Sequence, residues 1–401
     1  MDFQHRMAEL AAQGAEGVAA LVDEIIREGL RRAASDIHIE PAPGGVQVRF
    51  RQDGVLLPAV EAATDRASNL IARIKVLADL LTYHTNVPQE GRIDRAKVNS
   101  PSDLRVSTFP TVHGEKAVLR LFDPTTQSVA LGELGYAPAL REQFESRLRE
   151  PGGAILLTGP AGSGKTTTIY AAVQYILQAS KGARNVVTIE DPVERILPGA
   201  TQTQVHPASG LTFARCLRSM MRQDPEVIVV GEIRDGETAG IAIEASLTGH
   251  MVISTIHSGA ACGVLTRLLE MGVEPYLLTS ALSFAVAQRL VRLLCPDCRV
   301  EISSAQAGLP ELAGPIYESA GCEKCFGTGY RGRTIIAEAL AMTPPMRRKV
   351  MERPTAEDLA EAAIVAGMVP LRQAALDRIR AGETSPSEML RVLGPAMSVA
   401  G

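Results

Sequence analysis

Tryptophan is absent from this 401-residue chain, and aromatic residues together make up only 4%. Proteins that hold single-stranded nucleic acid stack its bases on aromatic rings, so that class is disfavoured from the outset. An excess of positive charge is missing too. Lys and Arg number 41 against 45 Asp and Glu, giving a formal net charge of -4. A dedicated nucleic-acid binder usually carries a basic stripe, and no direct nucleic-acid partner is expected here. A membrane-spanning run is also lacking. The longest uncharged stretches lie around Gly249–Thr266 and Pro275–Gln288. The first is broken by histidines, Ser, Thr and Gly, and the second falls short of the roughly 20 apolar residues a bilayer requires. The N-terminus, Met1-Asp2-Phe3-Gln4-His5-Arg6, has no apolar h-region, so no secretory signal is visible. The chain reads as cytoplasmic. In a reducing compartment its six cysteines are expected as thiols or metal ligands rather than disulfides.

What is present is enough apolar sequence, 46%, for two or three cores. Residues 1–16 are small and polar and read as a flexible N-terminus. Val18, Leu21, Val22, Ile25, Ile26 and Leu30 then recur at helical spacing. Strands are expected at Ile37–Glu40, Val46–Arg51, Leu104–Phe109 and Lys116–Phe122, with a helix over 64–81. In the second of these strands Val46, Val48 and Phe50 alternate with Gln47, Arg49 and Arg51. From Pro138 the pattern changes. Strands Ala154–Thr158, Val186–Glu190, Val227–Val230 and Met251–Thr255 alternate with helical segments, which implies a parallel sheet with helices on both faces. Val273–Leu294 reads as helix-rich, and a short helical tail starts near Thr343. In that tail Ser385, Pro386 and Glu388 fit an N-cap, a first helical residue and a reciprocating third residue, the pattern of a capping box.

One segment carries the chemistry. Gly159-Pro160-Ala161-Gly162-Ser163-Gly164-Lys165-Thr166 matches G-x-x-x-x-G-K-[ST], and Thr167 follows it. It comes after an apolar strand and opens a helix, the context this phosphate-binding loop requires. The glycines let backbone N–H groups approach the phosphates of ATP, and the helix N-terminus adds its dipole. Lys165 would reach the β- and γ-phosphates and Thr166 would ligate Mg²⁺. A second apolar strand, Val227–Val230, leads to Glu232 at its C-terminal end, where ligands bind in open α/β sheets. Glu232 is therefore the expected general base. Glu190 ends another buried strand. It either orients water or Mg²⁺ from a second layer or serves as a structural carboxylate.

Cys295-Pro296-Asp297-Cys298 and Cys322-Glu323-Lys324-Cys325 form two C-x₂-C pairs separated by residues 299–321. Two thiolate pairs at this separation suit tetrahedral Zn²⁺, and four cysteines leave no open position, so the site should be structural. Cys216 and Cys262 stand alone and read as packing residues.

Several of these motifs coincide in a way that resembles the ATPase family of type II secretion and type IV pilus assembly. Arg222–Asp235 is similar to its Walker B signature, which ends in Gly-Glu. Thr188–Glu194 is similar to its Asp box, and Thr248-Gly249-His250 through Thr255-Ile256-His257 to its His box. Ser35–Pro41 and Arg49–Gly54 resemble its second N-terminal domain. The resemblance implies an N-terminal α+β, PAS-like domain over 17–136 and a RecA-like P-loop NTPase core over 137–294. A zinc-binding insert over 295–332 and a helical C-terminal region over 333–401 complete this α/β architecture. It also implies a homo-hexamer that meets an inner-membrane platform protein and is peripheral to the membrane through partners. His257 would sense the γ-phosphate, and Arg105 and Arg120 would approach the phosphates from the N-terminal domain. By spacing alone His257 is a core or capping residue, and the two arginines are solvated strand residues. Members usually carry a further N-terminal platform-docking domain, which residues 1–16 do not match. The cysteine element is common in assembly and secretion members and lacking in retraction members, so assembly or export is preferred. Two other readings stay open: a nucleic-acid translocase of related motor fold, and a nucleotide-switched scaffold without turnover.

Overall fold

A computed structural model describes residues 3–62, 67–121, 129–312 and 314–395. The chain divides into two compact units, Met1–Gln127 and Ser128–Gly401.

In the first unit the strands are β1 (Asp36–Ala42), β2 (Gly45–Gln52), β3 (Val55–Ala62), β4 (Gln89–Ile93), β5 (Leu104–Thr111) and β6 (Gly114–Leu121). They form an antiparallel sheet of order β3-β2-β1-β6-β5-β4. Alternation along β2 and β5 sends Val48, Phe50, Leu104 and Val106 inward, onto the helices Val18–Arg31 and Ala67–Leu77. The expected helix over 64–81 is confined to Ala67–Leu77. Its residues 64–66 lie outside the described residues, as does Phe122 of the expected last strand.

The expectation of a flexible terminus over residues 1–16 needs correction. Phe3–Ala12 is a helix, and Phe3 and Met7 are buried to 2% exposure. These two residues share a helical face, and the Phe3 ring rests 5.9 Å from that of Phe50. Burying them offsets the ordering cost of an otherwise polar segment.

The second unit contains β7 (Gly153–Thr158), β8 (Val186–Glu190), β9 (Ala200–Gln204), β10 (Val227–Ile233), β11 (Met251–Ile256) and β12 (Leu282–Leu294). A small insert holds β13 (Val300–Ile302) and β14 (Ile316–Glu318), and β15 (Tyr330–Ala341) follows it. The main sheet runs β15-β12-β7-β11-β10-β8-β9. All neighbours in it are parallel except β12 with β15. Alternate residues pack to opposite faces, Leu156, Ile228 and Val252 on one and Ile155, Leu157 and Val229 on the other. This is a RecA-like α/β core with helices on both sides.

Two expectations change here. Of Val273–Leu294, only Pro275–Ala281 is helical, and Leu282–Leu294 is a central strand. An apolar run buried on both faces has no period to separate strand from helix, and pairing with β7 and β15 decides it. The region 333–401 likewise begins as β15 and turns helical only at Pro344–Met351. The helices Ala356–Val365, Leu371–Arg380 and Pro386–Leu393 follow, and residues 396–401 lie outside the described residues. Leu131, Leu134 and Tyr136, expected at the end of the first domain, belong to the second unit's core.

The capping box is half right. Ser385 accepts from the Glu388 N–H at 3.1 Å. The Glu388 carboxylate does not return the bond. It is fully buried and accepts from the Arg292 amide at 2.9 Å and from the Arg292 and Arg391 guanidinium groups. Those charge-assisted bonds outcompete one amide.

Candidate nucleotide site and cysteine centre

The phosphate loop hangs between β7 and the helix Lys165–Ala179. Gly159 has φ +143, and a Cβ added to it would lie 2.5 Å from the Gln288 carbonyl and 2.7 Å from the Ser163 hydroxyl. Gly164, at φ +88, precedes the first helical residue. No other residue type fits Gly159 without moving the loop. Lys165 Nζ turns back to donate to the carbonyls of Gly159 at 2.8 Å and Pro160 at 2.9 Å. Burial lowers the Lys165 pKa, the Arg289 charge lowers it further, and Glu232 opposes both. The Ser163 hydroxyl is buried with no hydrogen-bond partner among the described residues. A cationic group held by its own loop, an orphaned hydroxyl and a helix N-terminus form an anion cradle, and the triphosphate of ATP fits the donor set. Thr166 and Thr167 are exposed at the helix start, where Thr166 would hold Mg²⁺.

The structure brings most of the expected residues to this cradle. A cleft of about 280 Å³ is lined by Ala161, Gly162, Lys165, Thr166, Glu190, Glu232 and His257, among others. Glu232 leaves β10 where the strand's register shifts, and it pairs with Arg234. His257 follows β11, is largely exposed, and places Nε2 3.5 Å from Glu232 Oε2. His250, by contrast, lies between the end of the helix Gly236–Leu247 and the start of β11. Its Nδ1 lies 2.9 Å from the Ala245 carbonyl.

Glu190 is more tightly engaged than its neighbours. It is buried, with Tyr170 donating to one oxygen, and Thr188 at 2.6 Å and Gln202 at 3.0 Å to the other. Burial and this bond to Glu190 raise the Tyr170 pKa. Its carboxylate is thus rigid at the cleft wall.

Arg105 and Arg120 stand on the sheet of the other unit, paired across β5 and β6. Arg120 Nε reaches Asp36 Oδ1 at 3.0 Å. The register continues the row on both sides, with Arg51 opposite Asp36 and Arg92 opposite Arg105. Four arginines and one aspartate therefore share one band of the exposed face.

Sequence reasoning missed Gln288 and Arg289 on β12. Gln288 is fully buried. Its Nε2 donates to the Ser163 carbonyl at 2.8 Å, and its Oε1 accepts from Tyr136 at 2.6 Å and Thr168 at 3.2 Å. A polar pair interrupting a core-like apolar run was the available signal, because buried polar groups are seldom idle.

The four insert cysteines converge. Their sulfurs lie within 4.8 Å of one another, at 3.9 Å for Cys295–Cys322, 3.8 Å for Cys298–Cys325 and 3.7 Å for Cys322–Cys325. A tetrahedron with Zn–S bonds of about 2.3 Å has edges of about 3.8 Å, whereas a disulfide needs about 2.05 Å. Against the opposing push of burial, the Cys322 and Gly329 amides pull the Cys325 thiol down to about 7. The donor set fits Zn²⁺.

The type II/IV secretion system protein family matches residues 11–391. Type II secretion system protein E of Dickeya dadantii is 44% identical, over 94% of this chain and 75% of its own length. The type IV pilus assembly ATPase PilB of Thermus thermophilus is 43% identical over 92% of this chain but only 42% of its own length. Among solved structures, the Legionella pneumophila ATPase DotB aligns with a TM-score of 0.66 at 19% identity, covering 92% and 94% of the two chains. The pilus retraction motor PilT with bound ADP aligns at 0.60 and 23% identity, covering 92% and 96%, which bears on the fold alone. With the sequence match spanning both units, this chain belongs to the type II/IV secretion system protein family.

Proposed function

We propose that the chain is a cytoplasmic P-loop ATPase acting as a homo-hexamer. In this reading hydrolysis drives domain motion and powers type II protein secretion or type IV pilus assembly through an inner-membrane platform protein. The observation that carries the reading is the meeting of Lys165, Thr166, Glu232 and His257 round one cleft in a member of this family.

The loop N–H groups and Lys165 bind and orient the β- and γ-phosphates. Thr166 would hold Mg²⁺, which would supply neutralisation of phosphate charge. Glu232 accepts a proton from the attacking water, with Glu190 a fixed acceptor behind it. His257, 3.5 Å from Glu232, would donate to the γ-phosphate and report its loss. Arg105 and Arg120 are assigned, from the family resemblance, the supply of positive charge to the phosphates in the transition state. Cys295, Cys298, Cys322 and Cys325 would hold Zn²⁺, which would brace the insert and supply no chemistry to the reaction.

ATP turnover by the purified chain, with and without DNA, tests the reading. Mg²⁺-dependent hydrolysis indifferent to DNA and abolished by Lys165→Ala is expected. Hydrolysis that requires DNA would favour a translocase, and ATP binding without turnover a switch.

A further inference from the structure

The segment that follows His257 is exposed, yet its backbone is tethered from three strands. Thr158 at the end of β7 donates to the Ser258 carbonyl at 2.8 Å and accepts from the Ser258 N–H at 2.8 Å. Arg289 of β12 donates through Nη2 to the Gly259 carbonyl at 2.7 Å, while its Nη1 holds the Gln288 carbonyl at 2.9 Å. Glu338 of β15, only 7% exposed, accepts from the Ala261 N–H at 2.8 Å. Its other oxygen accepts from the Leu371 N–H at 3.1 Å. Ala261 and Leu371 are the first residues of the helices Ala261–Glu270 and Leu371–Arg380. One buried carboxylate thus caps two helices, where a negative charge is favourable.

A lone buried carboxylate is costly, and an Arg and Glu on adjacent strands could have paired with each other. Here each is directed to a main-chain group of the same short segment. Such an arrangement restrains the path of Ser258–Ala261 and hence the position of the residue just before it. We propose that Arg289 and Glu338 are positioning residues for hydrolysis, which hold the segment after His257 so that its imidazole stays opposite Glu232 and the phosphate loop. The inference rests on the reading of His257 given under the proposed function. It further makes Glu338 the link by which the helix Leu371–Arg380 bears on the nucleotide cleft.

The test is a double-mutant cycle on the full chain, because residues acting through a common partner are not additive. Arg289→Ala should lower kcat on the order of 10–100-fold, the scale of a misplaced reacting group, with the Kd of a non-hydrolysable ATP analogue changed less than about threefold. Arg289→Lys, which keeps one donor to Gly259, should recover part of the loss. In a His257→Ala background, Arg289→Ala should cost less than about twofold more. Glu338→Gln retains the shape and one acceptor, and should show the same pattern even if melting falls. Equal fold-losses in both backgrounds, or a loss confined to analogue affinity, would overturn the inference while leaving the ATPase reading intact. Wild-type kcat in His257→Ala would remove the role of His257 and the inference with it, whereas an inactive wild-type chain would remove the ATPase reading itself.

Discussion

Arg105 and Arg120 face each other directly across β5 and β6, two like charges in one cross-strand pair. Such a pair costs a sheet stability rather than adding to it. Arg120 offsets part of this through Asp36 at 3.0 Å. A fold that tolerates the arrangement keeps concentrated positive charge on a solvent-facing band, which suits an anion arriving from outside the sheet.

Arg105→Ala and Arg120→Ala should agree in activity. Arg120→Ala should cost about 1 kcal/mol, since it deprives the buried Asp36 of a partner that is itself largely exposed. Both should depress kcat, by up to about 10³-fold for an arginine acting on transferring phosphate. Steady-state kinetics beside thermal melts would check this, and near-normal kcat in both variants would end the assignment.

Glu232→Gln should bind ATP normally and lose hydrolysis by about 10²–10⁴-fold, the scale of a general base. Mixed into wild-type protein, it should reduce activity by more than dilution if subunits work as a ring. A strictly linear loss would count against coupling between subunits.

Purified protein should contain one Zn²⁺ per chain, bound by Cys295, Cys298, Cys322 and Cys325. Metal analysis below half an equivalent would contradict this. Acidification should release the metal as the thiolates protonate, and Cys295→Ser should loosen chiefly the insert, since metal binding there is folding free energy.

Glu388 lies below its usual pKa. Burial pushes it up, but the bonds from Arg391 and Arg292 prevail. A depressed folded-state pKa contributes stability that is present above the unfolded value, near 4.3, and is lost as pH falls through the folded one. Melting of the wild type should therefore fall more steeply below about pH 4 than that of Glu388→Gln. Glu388→Ala should cost about 3 kcal/mol at neutral pH, because it leaves half-buried Arg292 without its counter-ion. Parallel pH dependence in wild type and Glu388→Gln would refute the assignment.

Local order carries much of this protein. The phosphate loop was legible because glycine spacing, an apolar strand and a helix start are contiguous in sequence. β7, β8, β10 and β11 were legible because short apolar runs bounded by polar residues have few alternatives. The cysteine pairs were legible because a metal's geometry restricts spacing. The Phe3–Ala12 helix was missed because its two anchoring residues gain meaning only against Phe50, far along the chain. β12 was misread because a strand buried on both faces loses the alternation that would reveal it, and only pairing with β7 and β15 selects the extended form.

The sequence by itself thus determined the candidate chemistry: a loop suited to phosphate, a carboxylate near the end of a parallel strand of the same sheet, and four thiols spaced for a metal. These follow from residue type and short-range spacing. The tertiary structure alone decided how those groups are held. Gln288 reaches Ser163 from a distant strand, Arg289 reaches Gly259, and Glu338 joins two helix starts widely separated in sequence. Such bonds depend on which strands lie side by side, and adjacency in a sheet is set by packing of the whole core.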